Sequence, residues 1–116
     1  MEYTKIVQRL MQVVIDLRHH HWNTKSYAAH KALGDAYESL QELVDTVAET
    51  LVGNEGPIMP MTFKSPSTTF ANLPQAIIDS GLALDEFAEE TYPDLCNTSD
   101  EIVAIGNKLK YLYRLS

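Results

Sequence analysis

The sequence predicts an all-α fold, an antiparallel four-helix bundle with a long crossover between its second and third helices. Three observations lead there. Apolar residues recur at steps of three and four through four separate stretches, the spacing that stacks side chains on one helix face. Clusters of Gly, Pro, Ser and Thr punctuate the stretches. The length, 116 residues, suits one domain spanning the whole chain, with no internal repeat.

The first helix follows from Tyr3, Val7, Leu10, Val14, Leu17 and His21, which form one stripe. It runs from Tyr3 to His21 or Trp22, and Asn23 and Thr24 end it. Ser26 is the expected N-cap of the second helix, because its hydroxyl can accept from a free backbone N–H. Leu33, Tyr37, Leu40, Val44, Val47 and Leu51 give that helix its apolar face. It should reach Val52, where the run from Gly53 to Pro57 stops it.

Residues 54–70 form the longest irregular segment, with prolines at 57, 60 and 66. Ile58, Met59, Met61 and Phe63 predict that it packs on the bundle, with a helical turn between Pro60 and Lys64. The third helix should start near Asn72, with Leu73 and Pro74 in its first turn. Leu73, Ile77, Leu84 and Phe87 mark its buried side, and Gly81 signals a close helix contact. Asp85, Glu86, Glu89 and Glu90 make an acidic outer end before Pro93, which ends the helix. Thr98 and Glu101 have the spacing of a capping box and open the fourth helix. Its stripe is Ile102, Ile105, Leu109 and Leu112. Lys108, Lys110 and Arg114 lie near its C-terminus, where cations suit the helix dipole.

Composition narrows the function classes. A hydrophobic fraction of 45% argues against disorder. No apolar run approaches the roughly 18 residues that span a membrane. The first five residues lack the pattern of a signal peptide, so a cytoplasmic location is expected. A formal charge of −7 opposes polyanions, so DNA binding is not expected. Cys96 has no second cysteine to pair with and reads as an inert thiol.

The chemistry concentrates between Leu17 and Gly53, which hold all four histidines, the single tryptophan and the pair Asp45 and Glu49. Imidazoles with carboxylates suit a mixed N/O site for iron, zinc or manganese. His30 and Asp45 lie fifteen residues apart on one helix, about 22 Å. Metal–ligand bonds are about 2 Å, so one chain cannot bring both to one ion. His21 and His30 can meet across the short turn. A two-fold dimer would then pair them with Asp45 and Glu49 of a second copy.

Each residue also has a plainer reading. His21 can cap a core stripe, His30 can be an ordinary helix-start residue, and Asp45 with Glu49 can be a solvated face. Trp22 reads first as a packing residue near the site, at a bundle end or interface. His19 should face solvent and His20 could approach a partner subunit. Successive helical residues diverge by about 100°, so His19, His20 and His21 cannot chelate one ion together.

His21-Trp22-Asn23, His30, Asp45 and Glu49 resemble the ferroxidase motif of the Dps proteins, miniature members of the ferritin-like superfamily. The segment Val44-Asp45-Thr46-Val47-Ala48-Glu49, followed by Leu51, is similar to that family's second helix. The interval from His21 to His30 is three residues shorter than in that family, and Thr50 stands where an arginine is common. The resemblance implies a ferritin-like bundle in which His21 and His30 of one subunit and Asp45 and Glu49 of another hold iron. It implies oxidation of Fe(II) by peroxide or dioxygen, for iron sequestration or peroxide protection, in a homo-dimer or larger shell. The alternative is a non-enzymatic bundle with a relic or structural zinc site, an accessory or phage-encoded protein of unknown partner.

Overall fold

The computed structural model describes residues 2–115. Four helices account for most of them: α1 (Glu2–Asn23), α2 (Tyr27–Glu55), α3 (Leu73–Ala88) and α4 (Pro93–Leu115). A 3-10 turn, Phe70–Asn72, leads into α3. No strand occurs among the described residues.

The stripes seen in the sequence become the core. Leu10 and Leu17 of α1 meet Leu33, Leu40 and Leu51 of α2, and all five are fully buried. Ile77 and Leu84 of α3 and Ile102 and Leu109 of α4 complete the cluster. Each such side chain contributes about 1.5–3 kcal/mol on burial. Contacts run α1 with α2, α2 with α4, α4 with α3 and α3 with α1, so the helices close a ring around this core.

The α3–α4 contact is the most extensive, and two glycines permit it. A Cβ on Gly81 would lie 2.8 Å from a Val103 methyl, and one on Gly106 would lie 2.9 Å from the Pro74 carbonyl oxygen. The close contact expected at Gly81 is present.

Three boundaries differ from expectation. Helix α2 continues through Gly53 to Glu55 and stops at Gly56, whose φ of 106° only glycine adopts without strain. Helix α3 ends at Ala88, because Glu89 turns to φ 22°. Pro93 therefore opens α4 instead of ending α3, a position where its missing N–H costs nothing. Thr98 is consequently buried inside α4 and caps nothing.

The helical turn expected between Pro60 and Lys64 does not form. The crossover instead runs extended along α1, held by polar side chains spaced four residues apart. Thr4 accepts from the Met59 N–H at 3.1 Å, Gln8 from Thr62 at 3.4 Å and Gln12 from Lys64 at 2.9 Å. Asp16 accepts from the Ser67 N–H at 2.8 Å and from its hydroxyl at 2.7 Å. His20 Nε2 reaches the Thr68 carbonyl at 2.7 Å, so His20 meets the crossover of its own chain. With their amides bonded to α1, these residues have no need of a helical turn.

Candidate functional site

The turn between α1 and α2 brings His21 and His30 together, as the short turn allows. Ser26 caps α2 by accepting from the Ala29 N–H at 3.2 Å. The two imidazoles bond reciprocally. His21 Nδ1–H donates to the His30 carbonyl at 2.7 Å, and His30 Nδ1–H donates to the His21 carbonyl at 2.9 Å. Their rings stack with centroids 3.9 Å apart and planes inclined by 17°. Gly34 makes this possible, since a Cβ there would sit 2.9 Å from His21 Cε1.

This geometry ties the end of α1 to the start of α2. It leaves each Nε2 as the remaining ring nitrogen, but it does not aim the pair at one ion. A ligated metal lies near the plane of each imidazole, and planes stacked this way do not converge on a point. The rings would have to separate before both could bind one metal.

Asp45 and Glu49 sit one turn apart on α2 beside the buried Val44 and Val47, and both are exposed. Asp45 lies about 22 Å along the helix from His30, and Glu49 about 28 Å. Among the described residues, no group of three or more His, Cys, Asp or Glu is arranged to hold a metal ion. The structure thus joins two of the four expected ligands and leaves the other two far away on the same chain. His19 is half-buried and packs edge-on against His20, with centroids 5.0 Å apart.

Beside the histidine pair opens a cleft of about 530 Å³, whose lining includes Arg18, Trp22, Tyr27, Lys31 and Tyr37. Trp22 is 68% exposed and Tyr27 79%. The Arg18 guanidinium stands 4.7 Å from the Tyr37 ring centre and 5.8 Å from that of Trp22. It also donates to the Tyr37 hydroxyl.

Charge is unevenly distributed along the molecule, although Asp35 and Glu38 line the cleft beside the histidine pair. The end with the histidine pair also holds the C-terminal part of α4, because Tyr113 donates to the Phe70 carbonyl at 2.7 Å and Phe70 meets His20. Residues 17–34 and 103–115, which come together there, carry six cations and no carboxylate. Residues 38–55 and 85–101 carry twelve carboxylates, all exposed, and no cation. They reach the opposite end, where Tyr92 donates to Glu55 and Tyr3 to the Pro57 carbonyl.

Sequence reasoning noted the separate charge runs but not their meeting at opposite ends. It also missed the polar ladder of α1, whose signal is Thr4, Gln8, Gln12, Asp16 and His20 at strict four-residue spacing.

A family model described as a family of unknown function, DUF5856, matches residues 21–113. The chain belongs to that family. A relative in Enterobacteria phage T4, an uncharacterized 14.6 kDa protein of the mobD-ri intergenic region, is 30% identical over 99 residues. The match covers 82% of this chain and 74% of the relative. No solved structure matches the chain. These findings overturn the resemblance to the Dps proteins, since what matches is a family of unknown function and an uncharacterized phage protein, and neither is described as Dps or ferritin-like. The motif misled because Asp and Glu at i,i+4 beside an apolar stripe occur on many amphipathic helices.

No described helix is long and apolar enough to cross a membrane.

Proposed function

We propose that this DUF5856 member is a non-enzymatic accessory protein of the kind phages encode, an antiparallel bundle that works by docking a partner at its α1–α2 corner. The observation that carries this reading is the closed histidine pair. Both Nδ1 atoms are committed to backbone carbonyls and both ring faces to each other, which is how imidazoles serve a fold. The cleft beside them supplies exposed Trp and Tyr with Arg, the residue types that dominate binding hot spots. The lone Cys96 supports a cytoplasmic setting.

A second reading is favoured by one observation, that the Nδ1 bonds leave both Nε2 atoms over. If the ring stack opens, His21 and His30 supply half of a structural zinc or iron site, completed by Asp45 and Glu49 of a second copy in a homo-dimer.

An Fe(II) oxidation assay with dioxygen and with peroxide, run beside a zinc titration followed by light scattering, separates the readings. The docking reading expects oxidation at the buffer rate and a mass unchanged by zinc. Rapid stoichiometric oxidation lost in Asp45→Ala/Glu49→Ala would defeat it. Zinc-driven dimerisation lost in the same variant would establish the second reading.

A further inference from the structure

We propose that the groove between α2 and α4 docks a basic amphipathic helix of a partner protein. This face is separate from the α1–α2 corner. Of the residues that line the two, only Asp35, on the ridge of α2 between them, is shared.

The seams of the bundle are not closed alike. Gly81 and Gly106 let α3 press against α4. The crossover lies along α1, tied there by the polar ladder. The α2–α4 seam has neither device, and its walls come from those two helices alone. Ala32, Ala36 and Ser39 put little bulk into it, and Leu43, Ile105 and Leu112 along it are only half-buried. It opens to about 390 Å³ at the Glu42–Glu101 end and narrows to about 70 Å³ beside Lys108. From Ala32 to Leu43, and from Leu112 back to Glu101, it runs eleven residues, about 17 Å or three helical turns.

The apolar floor decides the shape of the occupant. The backbone groups of α2 and α4 bond within their own helices, so the walls offer an incoming chain no ladder partner. An extended segment would bury its N–H and C=O groups unpaired there, whereas a helix satisfies its own. Apolar side chains at i, i+4 and i+7 of that helix then lie along the seam, the pattern by which helices fill grooves.

Charge decides its composition. The wide end of the groove carries the exposed Glu42 and Glu101 and no cation, while Lys108 stands at the narrow end. Lys31 already pairs with Asp35 at 3.9 Å, so Glu42 and Glu101 carry the attraction. Around them, residues 38–55 and 85–101 hold twelve exposed carboxylates without a cation, in a chain of net charge −7. The wide end, its surroundings and the whole chain thus share one sign. Lysines and arginines flanking the apolar face of the occupant match it. A second copy does not, because groove against groove sets Asp35, Glu42 and Glu101 against their own kind.

The test uses the full chain and a labelled peptide of about 14 leucines and lysines, with the leucines on one helix face. A peptide of the same composition in scrambled order keeps the charge and loses the face. Anisotropy at about 150 mM salt reads binding. The expected result is saturable one-to-one binding, at least about tenfold tighter than that of the scrambled peptide, with the methyl resonances of Leu43 and Ile105 shifted. Ser39→Lys puts a cation in the middle of the groove and should weaken binding about tenfold or more. Glu42→Gln/Glu101→Gln should weaken it several-fold and reduce its salt dependence. Both variants should keep wild-type helicity by circular dichroism, since the replaced side chains are exposed. No binding would overturn the proposal, as would equal binding of the scrambled peptide or indifference to Ser39→Lys. Binding lost in Trp22→Ala but kept in Ser39→Lys would overturn it in favour of the α1–α2 corner.

Discussion

The two ends of the bundle are built from the same four helices and do opposite electrostatic work. The α1–α2 end carries cations, all four histidines and bare aromatic rings. The α3–α4 end carries exposed carboxylates, and two buried tyrosines bond there, Tyr92 to Glu55 and Tyr3 to the Pro57 carbonyl. The difference teaches that net charge is a poor guide to partners when the charges are segregated over more than a Debye length. It also shows that titratable side chains can be structural at both ends. The histidine pair closes one corner as Tyr92 and Glu55 close the other.

The largest expected effect concerns Asp16, which lies toward the cationic end but is only 1% exposed. It accepts from Ser67 twice and from Gln12. Asp16→Ala should lower stability by about 2–3 kcal/mol, because the Ser67 donors lose their partner. Asp16→Asn should cost less, since an amide oxygen can still accept. Thermal unfolding measures both. If Asp16→Ala is neutral, the crossover is not held by the ladder.

The ladder also shows where the sequence stopped being legible. The apolar stripes predicted the helices because each stripe needs only its own 3.6-residue period. The polar stripe of α1 was equally periodic, but its partner is the backbone of an aperiodic loop, which leaves no mark in sequence. Pro93 was misread because proline serves equally as a helix stop and as a first helical residue. The meeting of His21 and His30 was legible from the short turn. Their closure on each other was not, because it depends on Gly34 making room for a ring. The Dps resemblance rested on residues that this closure puts to another use.

A second prediction concerns salt. The exposed carboxylates of the α2 C-terminal part and the α3–α4 turn have no cation among them, so screening relieves repulsion there. The melting temperature should rise with sodium chloride by a few degrees. Glu86→Gln/Glu90→Gln should reduce that rise, and Lys25→Gln/Lys31→Gln should not. A melting temperature that falls with salt would mean that attraction between the ends dominates.

A smaller effect is spectroscopic. The hydrogen bond to Glu55, then burial, then the Glu55 charge push Tyr92 up to about 12. The unfolded value is about 10. Since the folded value is the higher, the contribution of the Tyr92–Glu55 contact is complete below about pH 10 and is lost as pH rises toward 12. Ultraviolet titration should show a late phenol phase that Tyr92→Phe removes and Glu55→Gln moves to lower pH. Burial also raises Tyr113, so one late phase should survive in Tyr92→Phe.

The smallest effect is at Cys96 beside the same end. Desolvation first, then the Asp85 carboxylate, raise its thiol above the ordinary range. The thiol should stay protonated and alkylate more slowly than an unhindered cysteine peptide at about pH 8. Asp85→Asn should quicken it. An unchanged rate would assign the slowness to burial alone.

The most direct test of the account is the protonation pattern of the histidine rings. Long-range proton–nitrogen correlation spectra of the labelled protein, recorded where imidazoles are neutral, distinguish Nδ1–H from Nε2–H. The account predicts that His21 and His30 both carry the proton on Nδ1, and that equimolar zinc leaves their spectra unchanged. An Nε2–H tautomer at either ring, or zinc-dependent shifts of both Nε2 atoms, would contradict it.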